Sequence, residues 1–416
     1  MKILIINYRF FKSGGPESYL FRIMDLLMEK NHHVEIFSVD NVKNHKSKYS
    51  KLFLSKIGNG KEIYFSEYNL KNIKTFLKVF SRMFYSFEAK KNIKKILKDF
   101  NPDIVYILQY KNKISCSILS PIKKMKIPVV QRISDFEKFC ISANFYNSIK
   151  NEVCTKCLEK ETSCLKMKCY SNSFIFSLIK FLSIQFEKYY NVNSKIDKFI
   201  FPSSNSLSLF AKKINNNKLV HIPTFVEQKE FVNKKIEYSD FALYFGRLDK
   251  EKGIDILIDA FKESKRNLII IGKSTSKLDN YYLEKIKSFD NIKILEHMPF
   301  EKLESYLQKC LFTIVPSIWF DNFPNSVLES FSCKKSVVAS DNGSLKELVI
   351  DGFNGYTFKT GNCNSLKNAV EKMFLNYDFT IQMGNNSYNY VSKKYGAEIH
   401  YSKLMSTFNS LVDKRK

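Results

Sequence analysis

Two doubly wound parallel α/β sheets facing a central cleft are the fold class that this sequence predicts, on three observations. Apolar runs of strand length alternate with segments of helical period from Lys2 to Ile222. The alternation starts afresh from Ala242 to Phe358, which places an inter-domain hinge near Pro223–Asp240. The stretch Phe312–Glu329, FTIVPSIWFDNFPNSVLE, reads as a buried strand, a Pro/Ser turn, a loop carrying Asp321 and a helix carrying Glu329. That order presents side chains at the C-terminal edge of a parallel sheet, where open α/β folds bind ligands. The expected organisation is an N-terminal Rossmann-like domain over 1–224, a C-terminal one over 225–395, and a helix over 396–416 that crosses back.

Taken in order, Lys2–Asn7 is the first strand. Tyr8–Pro16 is a loop ending in Gly14-Gly15, and Glu17–Asn31 is an amphipathic helix with Leu20, Ile23, Met24 and Leu27 at helical spacing. A strand, a Gly-rich loop and a helix bring backbone N–H groups to where a phosphate can sit, although a turn needing positive φ uses the same glycines. Val34–Val39 is the second strand, and Val42–Lys71 is polar without clear periodicity. Leu70–Phe100 reads as one or two strongly basic helices, either solvated outer helices or a face that docks on anionic lipid. Strands follow at Ile104–Leu108 and Val129–Ile133.

From Cys140 to Cys169 the pattern breaks. Cys154, Cys157, Cys164 and Cys169, with Cys140 upstream, suggest an inserted knuckle whose thiolates suit a closed structural zinc site, with unligated reduced thiols as the other reading. Ser173–Tyr190 is a helix with a narrow polar stripe (Ser173, Ser177, Lys180, Glu187) and a wide apolar face, either a core helix or an interfacial one. Strands at Lys198–Phe201 and Lys218–Ile222 complete the first half. The second half carries strands at Ala242–Phe245, Leu268–Ile271, Ile292–Leu295, Phe312–Val315, Val337–Ala339 and Tyr356–Phe358. Helices intervene, for example at Gly253–Glu263 and Leu303–Lys309, and Gly396–Val412 is a final amphipathic helix.

With 416 residues, 44% of them apolar, the chain can bury a sizeable core, and disorder is excluded as its main state. A net charge of +26 attracts phosphates: nucleotides, lipid diphosphates or an anionic membrane. The lysines are scattered along helix faces rather than gathered in one arm, and no nucleic-acid partner is expected. Met1-Lys2 leads straight into a strand-like run, and no segment reaches the roughly 20 apolar residues of a spanning helix. The expectation is a cytoplasmic protein, with peripheral contact at the inner face of the cell membrane.

The chemistry concentrates in two strand–loop–helix units. In Tyr244–Gly253, YFGRLDKEKG, Arg247 and Lys252 stand at the mouth. Arg247 can clamp two phosphate oxygens with its planar fork, and Lys252 adds a point charge. In the second unit, Glu329 can accept from both hydroxyls of a ribose, Asp321 can reach sugar hydroxyls, and backbone amides after Pro324 add dipoles. Two hydroxyl-binding acids beside two phosphate-binding bases describe a site for a sugar nucleotide. No DxD cluster marks a Mg²⁺ site, so the cations come from the protein and no catalytic cofactor is required. A dehydrogenase is disfavoured because Gly14-Gly15 does not complete G-x-G-x-x-G.

GRLDKEKG, the acid-x7-acid element DNFPNSVLE, DNGSLKELVIDGFNGYTF (Asp341–Phe358) and SGGPESYLFRIMDLL together resemble the retaining family-four glycosyltransferases of the GT-B fold, glycosyl transferases group 1. The cysteine-containing insertion is similar to a subset acting on bacterial surface polysaccharides such as lipopolysaccharide, O-antigen, capsule and exopolysaccharide. The resemblance implies hexosyl transfer with retention from a UDP- or GDP-sugar to a lipid-linked or polysaccharide acceptor. It implies that Gly246, Arg247 and Lys252 hold the diphosphate, that Asn325, Ser326, Val327 and Glu329 complete the nucleotide site, and that Asp321 meets the donor sugar. Gly15 would approach the phosphate or the reacting centre from the opposite domain. The pattern departs from the family at Asp321, which stands in place of Glu, and at Pro324 and Lys273-Ser274, where glycines are common. Ser134, followed by Asp135, and Tyr106 occupy positions where histidines are usual, which makes Asp135 the candidate on the acceptor side. The competing reading is a catalytically degenerate sugar-nucleotide-binding subunit of a transferase complex.

Overall fold

The computed structural model describes residues 1–58, 71–227 and 238–415. Parts of the predicted Val42–Lys71 stretch and of the predicted hinge at Pro223–Asp240 lie outside the described residues. The strands are β1 Lys2–Asn7, β2 His33–Phe37, β3 Ile104–Gln109, β4 Val129–Arg132, β5 Tyr146–Asn147, β6 Glu152–Val153, β7 Lys198–Phe201, β8 Leu219–His221, β9 Phe241–Arg247, β10 Asn267–Lys273, β11 Ile292–Glu296, β12 Phe312–Val315, β13 Val337–Ser340 and β14 Gly355–Phe358. The helices are α1 Gly15–Glu29, α2 Ile73–Met83, α3 Phe87–Phe100, α4 Leu119–Lys124, α5 Lys156–Glu159, α6 Ser163–Lys166, α7 Phe174–Tyr189, α8 Val192–Lys195, α9 Ser204–Ala211, α10 Ile254–Phe261, α11 Asp279–Ile286, α12 Phe300–Lys309, α13 Asn325–Ser332, α14 Leu345–Leu348, α15 Cys363–Leu375, α16 Tyr377–Tyr395 and α17 Ala397–Val412.

The predicted pair of parallel sheets is present. The first has the order β2-β1-β3-β4-β7-β8 and the second β11-β10-β9-β12-β13-β14. All pairings in both are parallel. The period of two on β1 sends Leu4 and Ile6 to the face covered by α3 and α4, and Ile3 and Ile5 to the face covered by α1 and α17. In the second sheet Ala242 and Tyr244 pack toward α10 and α15, while Leu243 and Phe245 face α12. Helix α17 returns to the first sheet, where Leu404 and Phe408 share a core with Ile3, Ile5 and Tyr106.

Several elements differ from the sequence prediction. Helix α1 starts at Gly15, with Pro16 in its first turn, where a missing N–H costs nothing. The basic stretch before β3 is two helices, divided where the Ser86 hydroxyl accepts from the Ala89 N–H to cap α3. Strand β9 runs on to Arg247, because Gly246 and Arg247 stay in register with Gly272 and Lys273 of β10.

Candidate active site

The cleft between the two sheets is built from loop ends. Arg247 terminates β9, and the buried carboxylate of Asp249 fixes it. Asp249 Oδ2 accepts from Arg247 Nη1 at 2.7 Å, and its Oδ1 takes the Ser274 hydroxyl and the Thr275 and Ser276 amides at 3.0, 2.9 and 3.1 Å. Burial alone would raise the Asp249 carboxyl, but the Thr275 hydroxyl, Arg247 and Ser274 outweigh it and hold it low. Glu251 adds a second acid, 3.2 Å from Arg247 Nη2. Asp249 is a site residue that sequence reasoning missed; its signal was an acid two residues after the arginine, opposite the Ser-Thr-Ser run after β10.

Lys252 enters from the next turn. Gly253 has φ +75, and a Cβ there would lie 2.0 Å from the Pro316 carbonyl oxygen, so only glycine lets this loop lie against the β12 end. That approach brings Lys252 Nζ to 2.8 Å from Asp321 Oδ2. The same oxygen accepts from the Ser317 hydroxyl at 2.9 Å and from Trp319 Nε1 at 3.0 Å. The Trp319 ring lies under both cations, its centroid 4.7 Å from Lys252 Nζ and 5.5 Å from Arg247 Cζ. Asp321, which the resemblance assigns to the donor sugar, is thus an anchor for Lys252 in this geometry.

Helix α13 begins after Pro324, so Asn325, Ser326 and Val327 form its first turn at the cleft. Across from it stands the N-terminus of α1. Asn325 Nδ2 donates to the Gly15 carbonyl at 3.3 Å, and a Cβ on Gly15 would meet that amide nitrogen at 3.0 Å. Glu329, one turn further along α13, has its carboxyl raised by burial, offset by Arg22 of α1. Arg22 was not predicted: its Nε donates to the Ser18 carbonyl at 3.3 Å, and its Nη2 is buried with no hydrogen-bond partner among the described residues. A guanidinium facing Glu329 across the cleft was legible only once the two domains were together.

Three more contacts join the halves. Asn322 Nδ2 donates to the Ile133 carbonyl at 2.7 Å, Glu347 accepts from the Ser204 amide at 3.0 Å, and Phe320 meets Phe145 edge-on at 6.2 Å. Beside Ile133 a pocket of about 180 Å³ opens on the N-terminal side, lined by Tyr8, Gln109, Gln131, Asp135, Glu137 and Lys180 among others. Burial and the neighbouring Glu137 push the Asp135 carboxyl up to about 6. Burial would raise Glu137 as well, but Lys180, 2.6 Å away, and Lys111 hold it low. The amide oxygens of Gln109 and Gln131 are buried there without hydrogen-bond partners among the described residues. The pocket's mixture of carboxyl, amide and aromatic groups suits a hydroxylated ring.

Cys157 and Cys164 are buried in an apolar cluster with Ile141 and Ile184, and Cys169 packs against it, while Cys154 is half-buried. Among the described residues no group of three or more His, Cys, Asp or Glu side chains is placed to hold a metal ion. The buried thiols contribute apolar packing to that cluster, and burial pushes Cys169 up to about 12.

Residues 225–390 match the family model described as glycosyl transferases group 1. An uncharacterized glycosyltransferase of Methanocaldococcus jannaschii is 32% identical over 188 residues, 44% of this chain and 52% of that protein. A capsular polysaccharide biosynthesis glycosyltransferase of Staphylococcus aureus is 23% identical over 53% of this chain and 56% of its own length. The chain therefore spans little more than half the length of these curated relatives. Among solved structures, the sucrose-phosphate synthase of Thermosynechococcus elongatus superimposes with a TM-score of 0.70 at 14% identity, covering 99% of both chains. Anabaena HepE in complex with UDP-glucose gives 0.63 at 16% identity, over 99% of this chain and 100% of that one. These likenesses give the fold, which is GT-B.

Proposed function

We propose that the chain, whose residues 225–390 match the glycosyl transferases group 1 model, is a retaining glycosyltransferase. It moves a hexose from a nucleoside-diphosphate sugar to a lipid-linked or polysaccharide acceptor in bacterial cell-surface polysaccharide biosynthesis. One observation carries the reading: Arg247 and Lys252, each held by its own acid, share a cleft with the opposed N-termini of α1 and α13.

Breaking the sugar–phosphate bond adds charge to a diphosphate. Arg247, Lys252 and the first-turn amides of α13 stabilise that charge from fixed positions, without reorganising during the step. Glu329 accepts from the ribose hydroxyls, with Arg22 opposing the upward push of burial on its carboxyl. Asp321 acts through Lys252, holding the ammonium where the diphosphate forms. Transfer is front-face: the acceptor hydroxyl attacks the anomeric carbon on the side the diphosphate leaves, and a leaving-group oxygen takes its proton. Asp135 orients the acceptor from the N-terminal side. A closed cleft excludes water and limits hydrolysis.

Purified protein incubated with a panel of UDP- and GDP-sugars tests this reading. One donor should raise the melting temperature and be hydrolysed slowly by the native chain, and neither by Arg247→Ala. Binding without hydrolysis or transfer to any acceptor would favour the degenerate binding subunit instead.

A further inference from the structure

Helix α7 is packed inside out. Its polar stripe is the buried face: Ser177 is 0% exposed and Lys180 7%, while Phe174 is 50%, Ile175 67% and Leu182 46% exposed. Water outside and an apolar core inside would favour the reverse orientation by roughly 1–3 kcal/mol for each large apolar side chain. The inner polar groups are used, since Lys180 pairs with Glu137 and Glu187 accepts from the Tyr110 hydroxyl at 2.8 Å. Helix α2 packs beside it through Val79, Met83 and Ile179. It is anchored by the fully buried Arg82, whose guanidinium donates to the Lys113 and Ser55 carbonyls at 2.9 and 2.7 Å. Helix α2 exposes Ile73, Phe76, Leu77 and Phe80, with Ile73 at 71% and Leu77 at 60%. Helix α3 behaves differently: Ala89, Ile93, Ile96 and Leu97 are buried, and of its large apolar side chains Phe87, at its first turn, is the exposed one.

We propose that the joined outer faces of α2 and α7 dock on an anionic phospholipid bilayer. Both helices turn aromatic and aliphatic side chains outward, as interfacial helices do. Exposed lysines flank the patch, Lys74 on α2 and Lys166 and Lys168 just before α7, and the chain's +26 charge complements anionic headgroups. Among the described residues no helix is long and apolar enough to cross a membrane, so the contact is peripheral. Helix α7 also borders the acceptor-side pocket, carrying Lys180 into it from its inner face, opposite the patch.

The test is vesicle co-sedimentation of the full chain without any sugar nucleotide, so its outcome is independent of the transferase reading. Vesicles of phosphatidylcholine with roughly one-third phosphatidylglycerol are compared with phosphatidylcholine alone. The expected result is binding to the anionic vesicles that weakens with salt. Phe76→Ser/Leu77→Ser/Ile175→Ser should bind at least about tenfold less, with its melting temperature kept because all three side chains are exposed. Equal partitioning of that variant, or no partitioning of the native chain, would overturn the proposal. So would a dimer in sedimentation velocity that the triple variant dissolves, since the patch would then be a self-association face.

Discussion

Replacing Lys252 by Met tests what Asp321 does. The pair is 2.8 Å apart with side chains 17% and 10% exposed, closer to a buried pair than to a surface one. Breaking a buried pair costs about 3–5 kcal/mol and an exposed one about 0–1. Asp321 keeps the Ser317 hydroxyl and the Trp319 indole as donors, so its carboxylate is not orphaned. The expected loss is therefore about 2 kcal/mol, or roughly 4–8 °C in melting temperature for a domain of this size. Donor affinity should fall about 10- to 100-fold, the value of one charge-assisted contact to phosphate. The decisive measurement is a double-mutant cycle on donor affinity with Asp321→Asn. If Asp321 works through Lys252, the second substitution adds nothing in the Lys252→Met background. Additivity within about 0.5 kcal/mol would refute this, and would return Asp321 to direct contact with the donor sugar.

Three further outcomes follow from the geometry. Gly253→Ala should cost roughly 3 kcal/mol in thermal or urea unfolding, since its Cβ meets the Pro316 carbonyl at 2.0 Å in a left-handed conformation; a neutral effect would show that the loop does not lie against β12. The raised carboxyl of Asp135 keeps a proton between about pH 4 and 6 that the unfolded chain has lost, so it makes stability fall as pH rises through that window. Asp135→Asn should remove that slope and stabilise the protein at pH 7 by roughly 1–3 kcal/mol, while reducing transfer to acceptor in an activity assay. His400 has the opposite sign. Burial lowers it to about 3, with Tyr19 and the Pro223 carbonyl on its two ring nitrogens, so acidification below about 6.5 protonates the unfolded chain first and stability is lost. His400→Gln should flatten that acid limb in pH-dependent melting, and an unchanged limb would contradict the buried neutral ring.

The parts of the fold legible in the sequence were those fixed by local pattern. Lys2–Asn7, Lys198–Phe201 and Phe312–Val315 are short apolar runs between breakers, and their bounds coincide with β1, β7 and β12. Helix α16 was not foreseen, because its 19 residues are mostly polar and its packing depends on contacts elsewhere: a Cβ on Gly384 would lie 2.2 Å from the Lys334 carbonyl oxygen. Periodicity located the stripe on α7 but not its direction, since the usual inference assumes water outside. At the site, residue types at the strand ends were readable one by one. Their pairings were not, because Lys252 meets Asp321 across 69 positions and Arg22 faces Glu329 from the other domain. Cysteine spacing indicated that the thiols cluster, but that Cys157 and Cys164 share a buried cluster with Ile141 and Ile184 is set by tertiary packing.

The central claim is that this cleft binds a nucleoside-diphosphate sugar, and the chain carries its own reporter. It has one tryptophan, Trp319, stacked under Lys252 and Arg247. Titrating UDP, GDP and their sugars against its fluorescence should give a saturable change for one base. Arg247→Ala and Glu329→Ala should each weaken that binding at least about tenfold, as the loss of one charge-assisted contact predicts. No change with any nucleotide, or equal affinity in both variants, would contradict the account.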